Sequence, residues 1–445
     1  MPPLIQPRTL RGFRDYLPAA MMPREQLVQT ARQVYRSYGF SPIDTPALEY
    51  EEILAGKGGE ESDKLMYRFQ DGGGRQVGMR FDLTVPLARF AAQHIHELGT
   101  PFKRYHIANV WRAEKSQRGR YREFMQCDFD TIGTRAVTAD IETALVIHDL
   151  FVALGLENIR IRINNRLVLS GLLEQVGLVE SSSAVLRSLD KLEKIGREKV
   201  SAEMVAVAGA TPQQAAEVLK LSDISGNNSE ILAKLDRLLT KNETGQQGVQ
   251  ALSDLLAGAR AAGIPEERFH FDVAIARGLD YYTGTVYETT LADLPTIGSV
   301  CSGGRYDNLA ELYTNQELPG VGASLGLDRL LAAMEELGMI EPVTTPAEIF
   351  IPYFEKTRLP DYLQLAAHLR TAGYGVEVYP EAKKLGPQLK YADRRGHRIA
   401  LILGENEFQS GTCQIKNLTR GTSEEVEMDD ENKKLLAVIE HMLVQ

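Results

Sequence analysis

Phe102-Lys-Arg-Tyr-His-Ile-Ala-Asn-Val-Trp-Arg-Ala-Glu-Lys-Ser-Gln-Arg-Gly-Arg-Tyr-Arg-Glu-Phe-Met-Gln-Cys-Asp-Phe-Asp130 is the most chemically dense stretch of the chain. Between Lys103 and Arg122 it carries seven Lys or Arg and one acid, Glu114. The flanking segments read as two β-strands and the polar piece around Gly119 as the loop between them. Paired antiparallel, they point Arg112 and a returning residue such as Phe124 or Gln126 at one ligand. Arginine suits a phosphate because its planar fork donates two hydrogen bonds at once. Taken alone, the segment also fits a solvated basic hairpin.

Strand-like patterning extends from about 65 to 135, with Gly72-Gly-Gly74 marking a hairpin turn. Upstream, 22–38 is amphipathic, with Leu27, Val28, Ala31, Val34 and Tyr35 on one helical face and Gly39 placed to stop it. Ser41 to Glu49 is extended and held to an edge by Pro42 and Pro46. Downstream, Arg160-Ile-Arg-Ile163 alternates as a strand. Residues 170–262 lack aromatics and are rich in Ala, Leu, Glu and Lys, which predicts an inserted helical module. There Thr211-Pro-Gln-Gln214 fits a capping box, while Gly226-Asn-Asn228 and Asn242-Glu-Thr-Gly245 read as loops. Strand character returns at Phe269–Ile275 and from Gly284 to Leu291, then Ser302-Gly-Gly-Arg-Tyr-Asp307 reads as a glycine turn. Gly320-Val-Gly-Ala-Ser-Leu-Gly326 reads as another, opening a helix that runs to 338 and carries Arg329. After a linker near Pro342–Pro346, Ile349-Phe-Ile351, Val376-Glu-Val378 and Ile399-Ala-Leu-Ile-Leu403 alternate with helical patterns at 359–372 and 383–395. That alternation predicts a small, mostly parallel α/β domain.

The whole-chain numbers narrow the function classes. A length of 445 residues implies several domains, and 43 % hydrophobic with 25 % charged residues is ordinary for a globular protein. No apolar run approaches the roughly 18 residues of a membrane span, and Met1 to Leu10 has no signal core. Three dispersed cysteines fit a reducing, cytoplasmic setting. The net charge of −10 disfavours a generally basic nucleic-acid binder but leaves local basic patches open. His94 and His96 lack the further ligands a zinc site needs, and neither GxSxG nor HExxH occurs.

A second constellation is Arg277-Gly-Leu-Asp-Tyr-Tyr282, where an arginine, an acid and two tyrosines suit a polar pocket. Taken with the first stretch, the chain resembles class II aminoacyl-tRNA synthetases, and most closely the histidyl-tRNA synthetase family. Pro46 and its surroundings are similar to motif 1, Arg104–Asp130 to motif 2, and Gly320–Leu330 to motif 3. Arg277–Tyr282 with Gly303–Asp307 is similar to the histidine-specific signature. The resemblance implies an α+β catalytic domain, an antiparallel sheet flanked by helices, from 1–169 and 263–341. It also implies a helical insertion at 170–262 and an α/β anticodon-binding domain at 342–445. It further implies L-histidine, ATP with Mg²⁺, and tRNA-His as substrates, a homodimer, no membrane and no metal held by protein ligands alone.

Carried over by position, the resemblance makes Arg112 and Arg277 catalytic, facing each other across the α-phosphate. Asp82, Leu83, Thr84 and Gln126 surround the ammonium, and Asp130, Tyr281 and Tyr282 the imidazole. Glu114, Phe124 and Arg329 join Arg112 in contacting ATP. Arg118, Arg120 and Arg122 would track the tRNA acceptor end. Lys390 and Arg394 would meet tRNA from a second basic cluster, Lys383–Arg398, which holds six Lys or Arg and one acid. The chain departs from the Arg-Pro-Glu-x-Thr segment of many bacterial members, having Arg80-Phe-Asp-Leu-Thr84 instead. The rival from another class is a non-catalytic, histidine-binding regulatory paralogue of ATP phosphoribosyltransferase. The roughly 100 residues after Pro342 and the retained arginines weigh against it. A class II enzyme for another amino acid is disfavoured by Arg277–Tyr282.

Overall fold

The computed structural model describes residues 4–55, 64–115, 117–275, 282–340, 343–429 and 432–444, without the side chains of 193 and 194. Arg277 and Tyr281 therefore lie outside the described residues. The chain forms two compact units, one of 1–15 with 24–339 and one of 16–23 with 340–445.

The first unit contains β1 (Ser41–Pro42), β2 (Leu48–Tyr50), β3 (Arg68–Gln70), β4 (Gln76–Met79), β5 (Phe102–Trp111), β6 (Glu123–Ile132), β7 (Ile159–Asn165), β8 (Phe269–Phe271), β9 (Thr285–Leu291), β10 (Ser299–Tyr306) and β11 (Gly320–Gly326). Eight of these form one sheet in the order β1-β5-β6-β11-β10-β9-β7-β8. Its inner pairs are antiparallel, and the outermost pairs, β1 with β5 and β7 with β8, are parallel. This is the antiparallel sheet flanked by helices that the resemblance implies. A three-stranded sheet, β2-β4-β3, stands apart, its β3–β4 hairpin turned by the glycines at 72–74.

Strand parity decides what each face of the sheet does. On β6, Cys127 and Phe129 are buried on one side, where Tyr35 of the helix Pro18–Ser37 packs on Phe129 at 5.0 Å and donates to the Cys127 carbonyl at 2.9 Å. The alternate residues Phe124, Gln126, Asp128 and Asp130 face the other side and line a cleft.

Several elements differ from their sequence reading. Thr84–Leu98 is a helix within the segment read as strand. Its buried residues Val85, Leu87, Ala88, Ala91 and Ile95 recur at helical spacing, Pro86 sits in its first turn and Gly99 ends it with φ +72°. Gly320–Gly326 and Ser302–Tyr306 are strand rather than turn. Their glycines answer a packing demand: a Cβ on Gly322 would lie 2.2 Å from the Phe129 carbonyl oxygen, and one on Gly320 2.4 Å from the Tyr306 ring. Asn227 and Asn242 are N-caps, so helices begin at Asn228 and Glu243 where loops were read. The Thr211 capping box forms reciprocally with Gln214. Helices run from Arg166 to Ala261 within the same compact unit as the large sheet.

In the second unit β12 (Ile349–Ile351), β13 (Val376–Val378), β14 (Ile399–Ile402), β15 (Thr412–Asn417) and β16 (Ser423–Glu427) form a sheet ordered β13-β12-β14-β15-β16. The first three strands are parallel and the last two antiparallel, so the sheet is mixed rather than mostly parallel. The extra hairpin carries Glu and Lys on its open face, which hid it from an apolar-run reading.

Candidate active site

The cleft on the exposed side of β5, β6, β10 and β11 has a volume of about 410 Å³. Its lining includes Asp82, Thr84, Arg112, Glu114, Arg120, Phe124, Gln126, Asp130, Tyr282 and Arg329, all singled out in the sequence. Residues far apart in sequence meet there because β6 pairs with both β5 and β11. The register aligns Arg104, Asp130, Gly322 and Gly304 in one row, and His106, Asp128, Ser324 and Ser302 in the next.

The first row shows why glycine is needed. A Cβ on Gly322 would come within 2.4 Å of Asp130 Oδ1, and one on Gly304 within 3.0 Å of the Tyr282 ring. The two glycines hollow the sheet so that a carboxylate and an aromatic ring can lie against it. Asp130 Oδ2 sits 2.6 Å from Arg104 Nη2, and Asp130 Oδ1 accepts the Tyr306 hydroxyl at 2.7 Å. Arg104 is fully buried. A buried ion pair adds little net stability, because desolvation offsets the attraction. The pair is better explained as fixed polarity beneath the cleft.

Asp82 and Asp128 complete an acidic floor. Asp82, just before the helix Thr84–Leu98, accepts the Val85 N–H at 3.1 Å, and burial raises its carboxyl above the usual range. Burial pushes Asp128 up to about 7, with Asp130 and Asp82 adding to the rise and Arg104 opposing it. Asp130 is raised for the same first reason. Gln126 donates to Ser324 Oγ at 2.7 Å and leaves Oε1 without a hydrogen-bond partner among the described residues.

The positive wall lies opposite. Arg112 donates through Nε to the Phe81 carbonyl at 2.8 Å and stacks 5.1 Å from the Phe124 ring centroid, leaving its fork toward the cleft. Glu114 lies 4.0 Å from both Arg112 and Arg120. Arg329 donates to the Ser299 carbonyl from the helix Leu327–Glu336. The preceding residue, Asp328, accepts the Met125 N–H at 2.8 Å and lies 3.6 Å from both Arg14 and Arg24. Arg14 also stacks 4.4 Å from the Tyr121 ring, and the Gly12 carbonyl accepts the Arg122 N–H at 2.8 Å. The N-terminal residues thus brace both the loop after β5 and the helix that carries Arg329.

The remaining expected residues are placed differently. Leu83 is buried, and its carbonyl accepts from Arg104 at 3.3 Å. Arg118 leaves the cleft to pair with Glu336 at 2.9 Å, and Arg122 donates to the carbonyls of Glu114 and Arg11. Lys390 and Arg394 are exposed on the helix Leu385–Arg395 of the second unit. Arg104, Asp128 and Tyr306 were not selected from the sequence. Asp128 was within reach, since a strand that points Gln126 and Asp130 at the cleft must also point the residue between them.

Comparison with known proteins bears on the fold and the activity. Residues 12–330 match the family model for histidyl-tRNA synthetase, and 348–437 match that for an anticodon binding domain. A histidine--tRNA ligase of Rhodopirellula baltica is 61 % identical over 433 residues, 97 % of this chain and 98 % of the relative. The crystal structure of histidyl-tRNA synthetase from Nostoc sp. PCC 7120 superposes with a TM-score of 0.89 at 35 % identity, covering 98 % of this chain and 100 % of that one. A Bacillus halodurans structure described as an ATP phosphoribosyltransferase regulatory subunit/histidyl-tRNA synthetase shares the fold, with a TM-score of 0.74 at 22 % identity over 87 % of this chain and 97 % of its own. Among the described residues no helix is long and apolar enough to cross a membrane, and no group of three or more His, Cys, Asp or Glu is placed to hold a metal.

Proposed function

The chain belongs to the histidyl-tRNA synthetase family and is a histidine--tRNA ligase, and we propose how its cleft divides the work. The histidine carboxylate attacks the α-phosphate of ATP, pyrophosphate leaves, and the 3′-terminal adenosine of tRNA-His then takes the histidyl group from the adenylate. An in-line displacement of this kind depends on positioning and positive charge more than on a protein nucleophile. Arg112 holds the α-phosphate and the carboxylate with its two-pronged donor. Arg277 stabilises the developing charge from the other side. Phe124 stacks on the adenine, Arg329 pairs with the polyphosphate, and Glu114 steers nucleotide polar groups. Mg²⁺ enters as part of the MgATP substrate and neutralises phosphate charge.

Asp82, Thr84 and Gln126 take the ammonium, while Asp130, Tyr281 and Tyr282 address the ring. Residues 1–169 with 263–341 act as the catalytic domain, 170–262 as the helical insertion, and 342–445 bind the anticodon arm, with Lys390 and Arg394 meeting phosphates. The assembly is a cytoplasmic homodimer. The observation that carries this reading is the convergence of Arg112, Phe124 and Arg329 with Asp82, Gln126 and Asp130 on one cavity large enough for histidine beside a nucleotide end. The regulatory alternative is not favoured, given the 61 % relative and the matched anticodon segment.

ATP–pyrophosphate exchange with each of the twenty amino acids tests the reading. Exchange with histidine alone is expected; exchange with another amino acid would overturn the pocket assignment. Binding of histidine without any exchange would favour the regulator.

A further inference from the structure

Of the residues assigned to the imidazole, Asp130 is set by its strand, whereas Tyr282 stands three residues ahead of β9 in no regular element. Its ring nevertheless lies close against β10, since a Cβ on Gly304 would come within 3.0 Å of it. Backbone outside a ladder needs other tethers to hold one geometry. The next residue supplies them. The Thr283 N–H donates to the Arg305 carbonyl at 2.8 Å, and the Thr283 hydroxyl donates to Asp307 Oδ2 at 2.6 Å. Gly284 lets the chain press on the Arg305 stem, because a Cβ there would lie 2.8 Å from Arg305 Cδ. The anchor is itself buried and paired. Arg305 is 8 % exposed, donates through Nε to Asp140 of the helix Val137–Ala153 at 3.1 Å and through Nη1 to the Thr134 carbonyl at 2.9 Å. Asp307 Oδ1 lies 3.5 Å from Arg305 Nη1, and Oδ2 lies 3.7 Å from Arg135 Nη1. Two cations thus hold the carboxylate that receives Thr283. Thr283, Arg305 and Asp307 are not among the residues that line the cleft.

We propose that Thr283 and Asp307 are positioning residues for Tyr282, so that Asp307 sets the affinity for histidine from outside the cleft. This rests on the histidine-activating reading above. The Tyr282 ring lies over Gly304 inside the cleft, while its neighbour Thr283 reaches Asp307 just past the end of β10. One residue meets the ligand and the next meets the anchor. A hydrogen bond to a carboxylate is stronger than one between neutral groups, and it fixes direction as well as distance. Without it Tyr282 keeps its chemistry and loses its placement, and a small misplacement of a binding group costs much of its effect. The nucleotide side is spared, because Phe124 lies on β6, Arg329 on the helix Leu327–Glu336 and Arg112 just after β5. The tether therefore acts on one substrate and leaves the other alone.

The test measures KM for histidine and for ATP separately, in pyrophosphate exchange by wild type, Thr283→Val, Thr283→Ser and Asp307→Ala. Thr283→Val keeps the shape and removes the hydroxyl. It should raise KM for histidine roughly 10- to 100-fold, the range for losing a hydrogen bond to a charged group, and change KM for ATP less than about twofold. Thr283→Ser restores the hydroxyl and should return both values to within about twofold of wild type. Asp307→Ala should match Thr283→Val, and Asp307→Asn supplies the comparison if the alanine variant does not fold. In a Tyr282→Phe background, Thr283→Val should add less than about threefold, because residues that act as a unit are not additive. An equal rise for both substrates, no rescue by serine or full additivity with Tyr282→Phe would each overturn the inference. A wild type without histidine-dependent exchange would overturn the underlying reading, whereas an unchanged KM for histidine in an active Thr283→Val enzyme overturns the tether alone.

Discussion

The cleft of the first unit and the basic helix of the second use charge in opposite ways. Around the cleft, Arg104, Asp82, Asp128 and Asp130 are each at most 8 % exposed and locked into strands or a helix start. On Leu385–Arg395, Lys390 and Arg394 reach solvent. Buried charges interact strongly, are little screened by salt and hold one geometry, so they encode chemistry and selection. Exposed charges interact weakly one by one and are screened, so they encode salt-sensitive attraction to a polyanion. One chain with a net charge of −10 can do both because burial, rather than the sum, decides what a charge does.

The contrast can be broken most directly at Arg112. Arg112→Ala should lower kcat for exchange by about 10³-fold, as for removal of a transition-state donor, with a smaller change in KM for histidine. A loss below tenfold in initial-rate assays would show that this arginine is no more specialised than a surface one. The next effect is on stability. Burial raises the Asp128 carboxyl in the folded protein to about 7, well above the ordinary carboxylate range. A group raised on folding contributes stability below its unfolded pKa and loses it as pH rises through the folded value. Ionised Asp128 therefore burdens the empty enzyme at pH 8, and Asp128→Asn should stabilise it by about 2 kcal/mol there and by less at pH 5. Thermal or denaturant melts at the two pH values check this, and equal shifts would refute it.

The smallest expected effect belongs to the basic helix. Lys390→Ala and Arg394→Ala should each raise KM for tRNA about two- to fivefold and reduce the salt slope by about one, leaving exchange unchanged. If either lowered exchange, the division between buried chemistry and exposed attraction would fail.

Much of this was legible because it follows from spacing. The β5–loop–β6 hairpin follows from two alternating segments around Gly119, and the parallel core of the second unit from three apolar runs between helices. What stayed hidden is tertiary in origin. Gly304, Gly320 and Gly322 look like turn residues in sequence, yet they are strand positions kept bare for Tyr282, Tyr306 and Asp130 to lie against. Asn227 and Asn242 look like loop residues until their side chains are seen capping helices. Arg104 could not be ranked above six other basic residues in its segment until the register set it against Asp130. Asp128 is the instructive omission, for the two-residue period that exposed its neighbours exposed it as well.

The bracing of the cleft by Gly12 and Arg14 bears on how the protein is made. Arg14 leaves the ribosome about 300 residues ahead of Asp328, its partner at 3.6 Å. At typical synthesis rates of about 5–20 residues per second, that interval is roughly 15–60 s. The first segment can therefore meet Tyr121 and Arg122 early, but its contact with Asp328 waits until β10, β11 and the Arg329 helix have been made, so the cleft is braced on both sides only when both ends of the catalytic unit have met.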